Sequence, residues 1–111
     1  MKTIKLKNSE MASRGYTGIA EWEAGDKGWF NKGEWHREDG PAYVGLDGYL
    51  EWWLEGFCIW DSHRKLDLTN QYILSKSQHP LYPTVQVWKI LNKDRVYEQI
   101  VIPGMEEFII E

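Results

Sequence analysis

The chain lacks most of the features by which a function announces itself. Among its 111 residues there is one cysteine, Cys58, so an internal disulfide framework is excluded and a reducing compartment is expected. No apolar run approaches the roughly 20 residues of a membrane-spanning helix, and the N-terminus MKTIKLKNSE has no signal-like apolar region, so no membrane association and a cytoplasmic location are expected. There is no Gly-x-x-x-x-Gly-Lys-Ser/Thr phosphate loop and no Gly-x-Ser-x-Gly elbow. His36, His63, His79 and Cys58 show no metal-ligand spacing, so neither a metal nor a cofactor is expected. A basic excess is missing too. Thirteen Lys and Arg against 17 Asp and Glu leave a net charge of -4, which repels a polyanion on average and disfavours nucleic acid as a partner.

What the chain has is aromatic surface. Seven tryptophans, six tyrosines and three phenylalanines demand cover from a core or from a partner. Five of the tryptophans, Trp29, Trp35, Trp52, Trp53 and Trp60, fall in one short stretch. A chain of this length is one domain that buries roughly two thirds of its unfolded surface.

From the N-terminus, Lys2–Asn8 alternates Ile4 and Leu6 against Thr3, Lys5 and Lys7, the pattern of a half-exposed edge strand guarded by charge. Short runs punctuated by glycine follow as far as Asp61, and none is long enough for a helix. Asp47-Gly48 between two strand-like runs predicts a type I′ hairpin turn. This half is a β-meander, and it repeats. Gly33 and Gly56 stand 23 residues apart, and the same offset superimposes Gly25 on Gly48, Trp29 on Trp52, Phe30 on Trp53 and Arg14 on Arg37. Periods of this size mark stacked supersecondary units.

The second copy opens on His36-Arg37-Glu38-Asp39-Gly40-Pro41-Ala42. Over about residues 13–63 the chain resembles the HREDGPA-type relatives of the membrane-occupation-and-recognition-nexus (MORN) repeat, which are common among bacteriophage and large-virus gene products. In the first copy Ser13–Ile19 replaces the motif. The resemblance implies an array of β-hairpins and an interaction role, and it implies no particular reaction.

Residues 65–78 lack internal Gly and Pro, and Asp67 or Thr69 could cap a short helix carrying Ile73 and Leu74. Residues 79–83 are an extended connection, because each proline biases its predecessor away from helix. Thr84–Leu91 and Val96–Ile102 read as strands joined by a four-residue loop at 92–95. Met105–Ile110 reads either as a last strand or as one helical turn. The expected fold is therefore α+β and predominantly β. A meander of MORN-like hairpins occupies 1–64, and one short helix with a C-terminal hairpin occupies 65–111, packed on it within a single domain.

Three readings of function follow. His36, Glu38 and Asp39 gather an imidazole and two carboxylates, the parts of a hydrolase's acid–base pair. Yet Asp-Gly-Pro is turn chemistry, and a motif that recurs in each hairpin of the resembling proteins is structural, so no catalytic residue is expected. Cys58, between Phe57 and Ile59, reads as a small buried hydrophobe and not as a nucleophile. A second reading takes His36, Arg37, Trp60, His63 and Arg64 as a pocket that stacks a nucleotide or another planar ligand and sequesters it. The third rests on strand parity. Leu50, Trp52 and Leu54 share one face and Tyr49, Glu51 and Trp53 the other, with Ala42, Val44 and Leu46 set against Tyr43. One face is core, which leaves Tyr43, Tyr49, Glu51 and Trp53, with Trp35, Arg37 and Glu38 near them, as a partner-binding patch. On this reading the protein is a non-catalytic interaction module. The resemblance suggests a phage-encoded inhibitor of a host defence or regulatory protein, docking on a host or viral protein, and free meander edges would allow a homodimer.

Overall fold

Two hairpins close on the same turn in the computed structural model, which describes residues 1–111. Lys32 and Gly33 have φ of 51° and 83°, and Glu55 and Gly56 have 50° and 81°. Two consecutive left-handed residues make the type I′ turn, whose twist matches that of the flanking strands. The turns join β3 (Lys27–Asn31) to β4 (Glu34–Trp35) and β6 (Leu50–Leu54) to β7 (Phe57–Asp61). The loops before β3 and β6 match as well. Gly25 N donates to the Trp22 carbonyl and Trp22 N to that of Asp26, while 23 residues on Gly48 N donates to Gly45 and Gly45 N to Tyr49. The repeat read in the glycines is thus a repeat of backbone geometry. Asp47-Gly48 departs from its expected form, since only Gly48 is left-handed, at 89°. The loop spans three residues, and Asp47 Oδ1 accepts from Tyr49 N at 3.1 Å.

The chain forms two units, Met1–Arg37 with Pro41–His63, and Glu38–Gly40 with Arg64–Glu111. In the first, β1 (Thr3–Leu6), β2 (Gly18–Trp22) and β5 (Tyr43–Val44) complete a seven-stranded sheet of order β1-β2-β3-β5-β6-β7, with β4 paired to β3. β1 lies at the end of the order, as its alternation indicates, but it pairs with β2 in parallel. Lys5 stands opposite Glu21 there and bridges it at 2.9 Å, and this bond holds the Glu21 carboxyl below its usual range.

The second unit has no α-helix. Residues expected to be helical form β8 (Leu66–Asp67) and β9 (Tyr72–Gln78). Asp67 does cap, but it caps a turn. Its Oδ1 accepts from Thr69 N and Oγ1, and Gln71 N closes on the Leu68 carbonyl, so the chain leaves this turn directly into a strand. β9 pairs with β10 (Gln86–Asn92), which pairs with β11 (Arg95–Val101) across a two-residue turn with Lys93 at φ 60°, shorter than the loop expected. Residues 79–85 fold back on themselves, with His79 N donating to the Val85 carbonyl and the His79 and Tyr82 rings stacked at 4.9 Å. The two readings of the C-terminus both hold. Met105–Phe108 is one 3-10 turn and β12 (Ile109–Ile110) pairs with β8. Leu68, Val85, Trp88, Ile90, Val101, Ile102 and Met105 are buried in this unit.

Candidate functional site

The two faces of the first unit's sheet differ as parity predicts. On β6, Trp52 is fully buried and Leu54 nearly so, while Glu51 and Trp53 between them stay half-exposed. Ala42 and Trp60 are buried as well. Leu46 is not on this apolar side; it lies in the turn and is 71% exposed.

The other face carries a continuous row of rings. From β2 Trp22 stacks on Trp35 of β4 at 6.3 Å and 20°. Trp35 meets Tyr43 edge-on at 5.8 Å and Trp53 at 6.2 Å. Tyr43 meets Tyr49 at 6.2 Å, and Tyr49 meets His63 at 4.7 Å. Gly28 of β3 makes the row possible. A Cβ there would fall 2.6 Å from Trp35 Cζ3, so only glycine lets the indole lie flat across the strand. One end of the face is closed. Tyr16, Ala20 and Phe30 are buried, with Ile4, Leu6 and Ala12 packed against them, so the N-terminal segment covers part of this face. Trp22, Trp35, Tyr43, Tyr49 and Trp53 are left half-exposed.

Carboxylates hold the rings in place. Glu51 accepts from the Tyr49 hydroxyl at Oε2, 2.8 Å, and from Trp53 Nε1 at Oε1, 3.0 Å. The Tyr43 hydroxyl donates to Asp26 Oδ2 at 2.5 Å. These bonds, together with desolvation and the charge of the acceptors, push both the Tyr43 and Tyr49 hydroxyls up to about 12. No cationic side chain pairs with Asp26 or Glu51. The face is therefore aromatic, negatively charged and pre-organised, since the rings are fixed by hydrogen bonds as well as by packing.

Two members of the expected patch are placed otherwise. Arg37 lies over the Trp29 ring at 4.0 Å, on the opposite side of the sheet, and its Nη1 donates to the Pro41 carbonyl. Glu38 belongs to the second unit, where Thr84 Oγ1 donates to its carbonyl at 2.5 Å. Arg37 and Glu38 thus tie down the motif's own loop. His36 does the same: it is buried, and its Nδ1 accepts from Glu55 N at 2.9 Å.

The other candidates are placed as follows. Of the stacking pocket, His36 and Trp60 are buried, Arg37 covers Trp29, and His63 sits beside Tyr49. Of the acid–base trio, His36 is buried with its Nδ1 taken by the Glu55 amide, and the Glu38 carbonyl accepts from Thr84 Oγ1. No group of three or more His, Cys, Asp or Glu side chains could hold a metal ion. Cys58 is exposed, contrary to the buried position its neighbours suggest.

Trp22 and Asp26 were not among the residues expected in the patch. Trp22 shares strand parity with Gly18 and Ala20, and that parity sets it on the face of Phe30. Nothing in the sequence marks Asp26 as the acceptor for Tyr43, 17 residues on.

Fold and site together define a β-rich protein with a half-exposed aromatic–acidic sheet face. No protein-family model, no curated protein and no solved structure matches the chain.

Proposed function

We propose that the protein is a non-catalytic interaction module that binds a protein partner through Trp35, Tyr43, Tyr49 and Trp53, with Glu51 fixed among them. The observation that carries this reading is the contrast along one strand. Trp52 is wholly enclosed while its neighbour Trp53, held by Glu51, keeps part of its ring in solvent. A row of ordered, half-exposed aromatics loses little side-chain entropy on binding, and residues of these types dominate binding energy at protein interfaces. The resemblance of His36–Ala42 to phage repeat proteins directs the search for the partner to host defence and regulatory proteins, which the module would inhibit by covering a functional surface.

Paired capture from lysate tests the reading, with the wild-type chain and the Tyr49→Ser/Trp53→Ser double variant as baits. The expected partner is retained by the first, lost by the second, and rebinds when both proteins are purified. A partner held equally by both, while the variant stays folded, counts against the face.

A further inference from the structure

At the β2 end of the same face, Trp22, Trp35 and Tyr43 enclose a groove of about 340 Å³ with Asp26, Glu10 and Met11. That volume suits one long side chain more than a folded segment. Its walls are two stacked indoles and a phenol set edge-on to one of them, at 78°. Tyr43 takes only Oδ2 of Asp26. The chain's own cations lie elsewhere: Arg37 over Trp29, Lys76 over Trp88 and Lys2 over Tyr16, and none lies over Trp22, Trp35 or Tyr43.

From this geometry we infer that the groove receives an arginine side chain of the protein partner, with the guanidinium stacked on the indole wall and hydrogen-bonded to Asp26. The inference rests on the reading of the aromatic face as a binding surface. Charge complementarity selects the occupant. π-faces attract a cation, and two carboxylates with no cationic partner of their own favour one further. A planar guanidinium stacks on a flat indole and presents a fork of donors to a carboxylate, whereas an ammonium presents a point charge that is more strongly hydrated. The raised Tyr43 hydroxyl reports the same negative field, since Asp26, Glu51 and Asp47 all act on it. An aliphatic side chain would fill the space without using Asp26.

The test uses the intact protein and three capped glycine-flanked peptides carrying arginine, its neutral isostere citrulline, or norleucine, followed by NMR of the tryptophan indoles. The arginine peptide should shift the Trp22 and Trp35 signals at millimolar concentration, and citrulline should bind about tenfold more weakly, the difference of one desolvated cation–π and charge-assisted contact. Asp26→Asn, which can still accept from Tyr43, should lose the preference for arginine, and Trp22→Ala should abolish binding. Equal binding of arginine and citrulline, stronger binding of norleucine, or no shift at all overturns the inference. Tyr49→Ser/Trp53→Ser changes no residue that lines the groove and should still shift the Trp22 signal with the arginine peptide. Capture that depends on Tyr49 and Trp53 would therefore survive a failure here, and the groove could pass where capture fails.

Discussion

The Glu55 amide donates to His36 Nδ1 across 19 residues of chain, at 2.9 Å. Through this bond the histidine that opens the motif pins the left-handed turn at Glu55-Gly56 to the start of the same repeat copy, which is a structural role. His36→Ala leaves that amide without its acceptor. It should lower stability by about 1–3 kcal/mol in denaturant unfolding, and His36→Asn, with a carbonyl oxygen near the same place, should recover part of the loss.

Lys32 occupies the first position of a type I′ turn, where asparagine is at ease and a long side chain is strained. Lys32→Asn creates the preferred Asn-Gly pair and should raise stability by about 0.5–1 kcal/mol, seen as a higher midpoint of thermal unfolding. A fall would mean that the Lys32 side chain contributes more than its backbone costs.

Gly28 is tested through its neighbour. Adding one methyl in Gly28→Ala forces the Trp35 indole off the strand. About 1–3 kcal/mol of stability should be lost, together with a change in tryptophan emission as the row is broken. Unchanged emission would place Trp35 elsewhere.

The tyrosines set a pH window. Tyr43 and Tyr49 are pushed up to about 12, first by hydrogen bonds to Asp26 and Glu51 that a phenolate cannot donate. An unfolded tyrosine titrates near ~10, so the stability these bonds contribute is complete below that pH and is lost as pH rises toward 12. Ultraviolet titration should show Tyr43 and Tyr49 ionising late, with Tyr97, raised by burial, also above the ordinary range. Glu51→Ala should return Tyr49 toward the ordinary range while Tyr43, held mainly by Asp26, stays high.

Some of this was legible in the residues. The alternation Leu50-Glu51-Trp52-Trp53-Leu54 separates a buried tryptophan from a half-exposed one because side chains on a strand must alternate. Gly33 and Gly56 reveal the repeat because a type I′ turn needs left-handed backbone at both. Other features depended on distant partners. Asp67 and Thr69 fit a helix cap and an Asx turn equally well, and the pairing of β9 with β10, absent from the local pattern, decided between them. The parallel seating of β1 and the bond from Tyr43 to Asp26 are long-range as well, and no local pattern encodes them. Closeness in sequence is all that groups Arg37 and Glu38 with the patch. The fold sets Arg37 over Trp29 and gives the Glu38 carbonyl to Thr84.

The most direct measurement is a calorimetric titration of the captured partner, purified, into wild-type protein and into the Tyr49→Ser/Trp53→Ser variant, with an unfolding curve for each. The account predicts a loss of at least about 2 kcal/mol in binding, roughly thirtyfold, with cooperative unfolding retained. Undiminished affinity in the folded variant would contradict it. So would a variant that no longer folds, because Tyr49 and Trp53 would then belong to the protein's interior and not to a surface it offers.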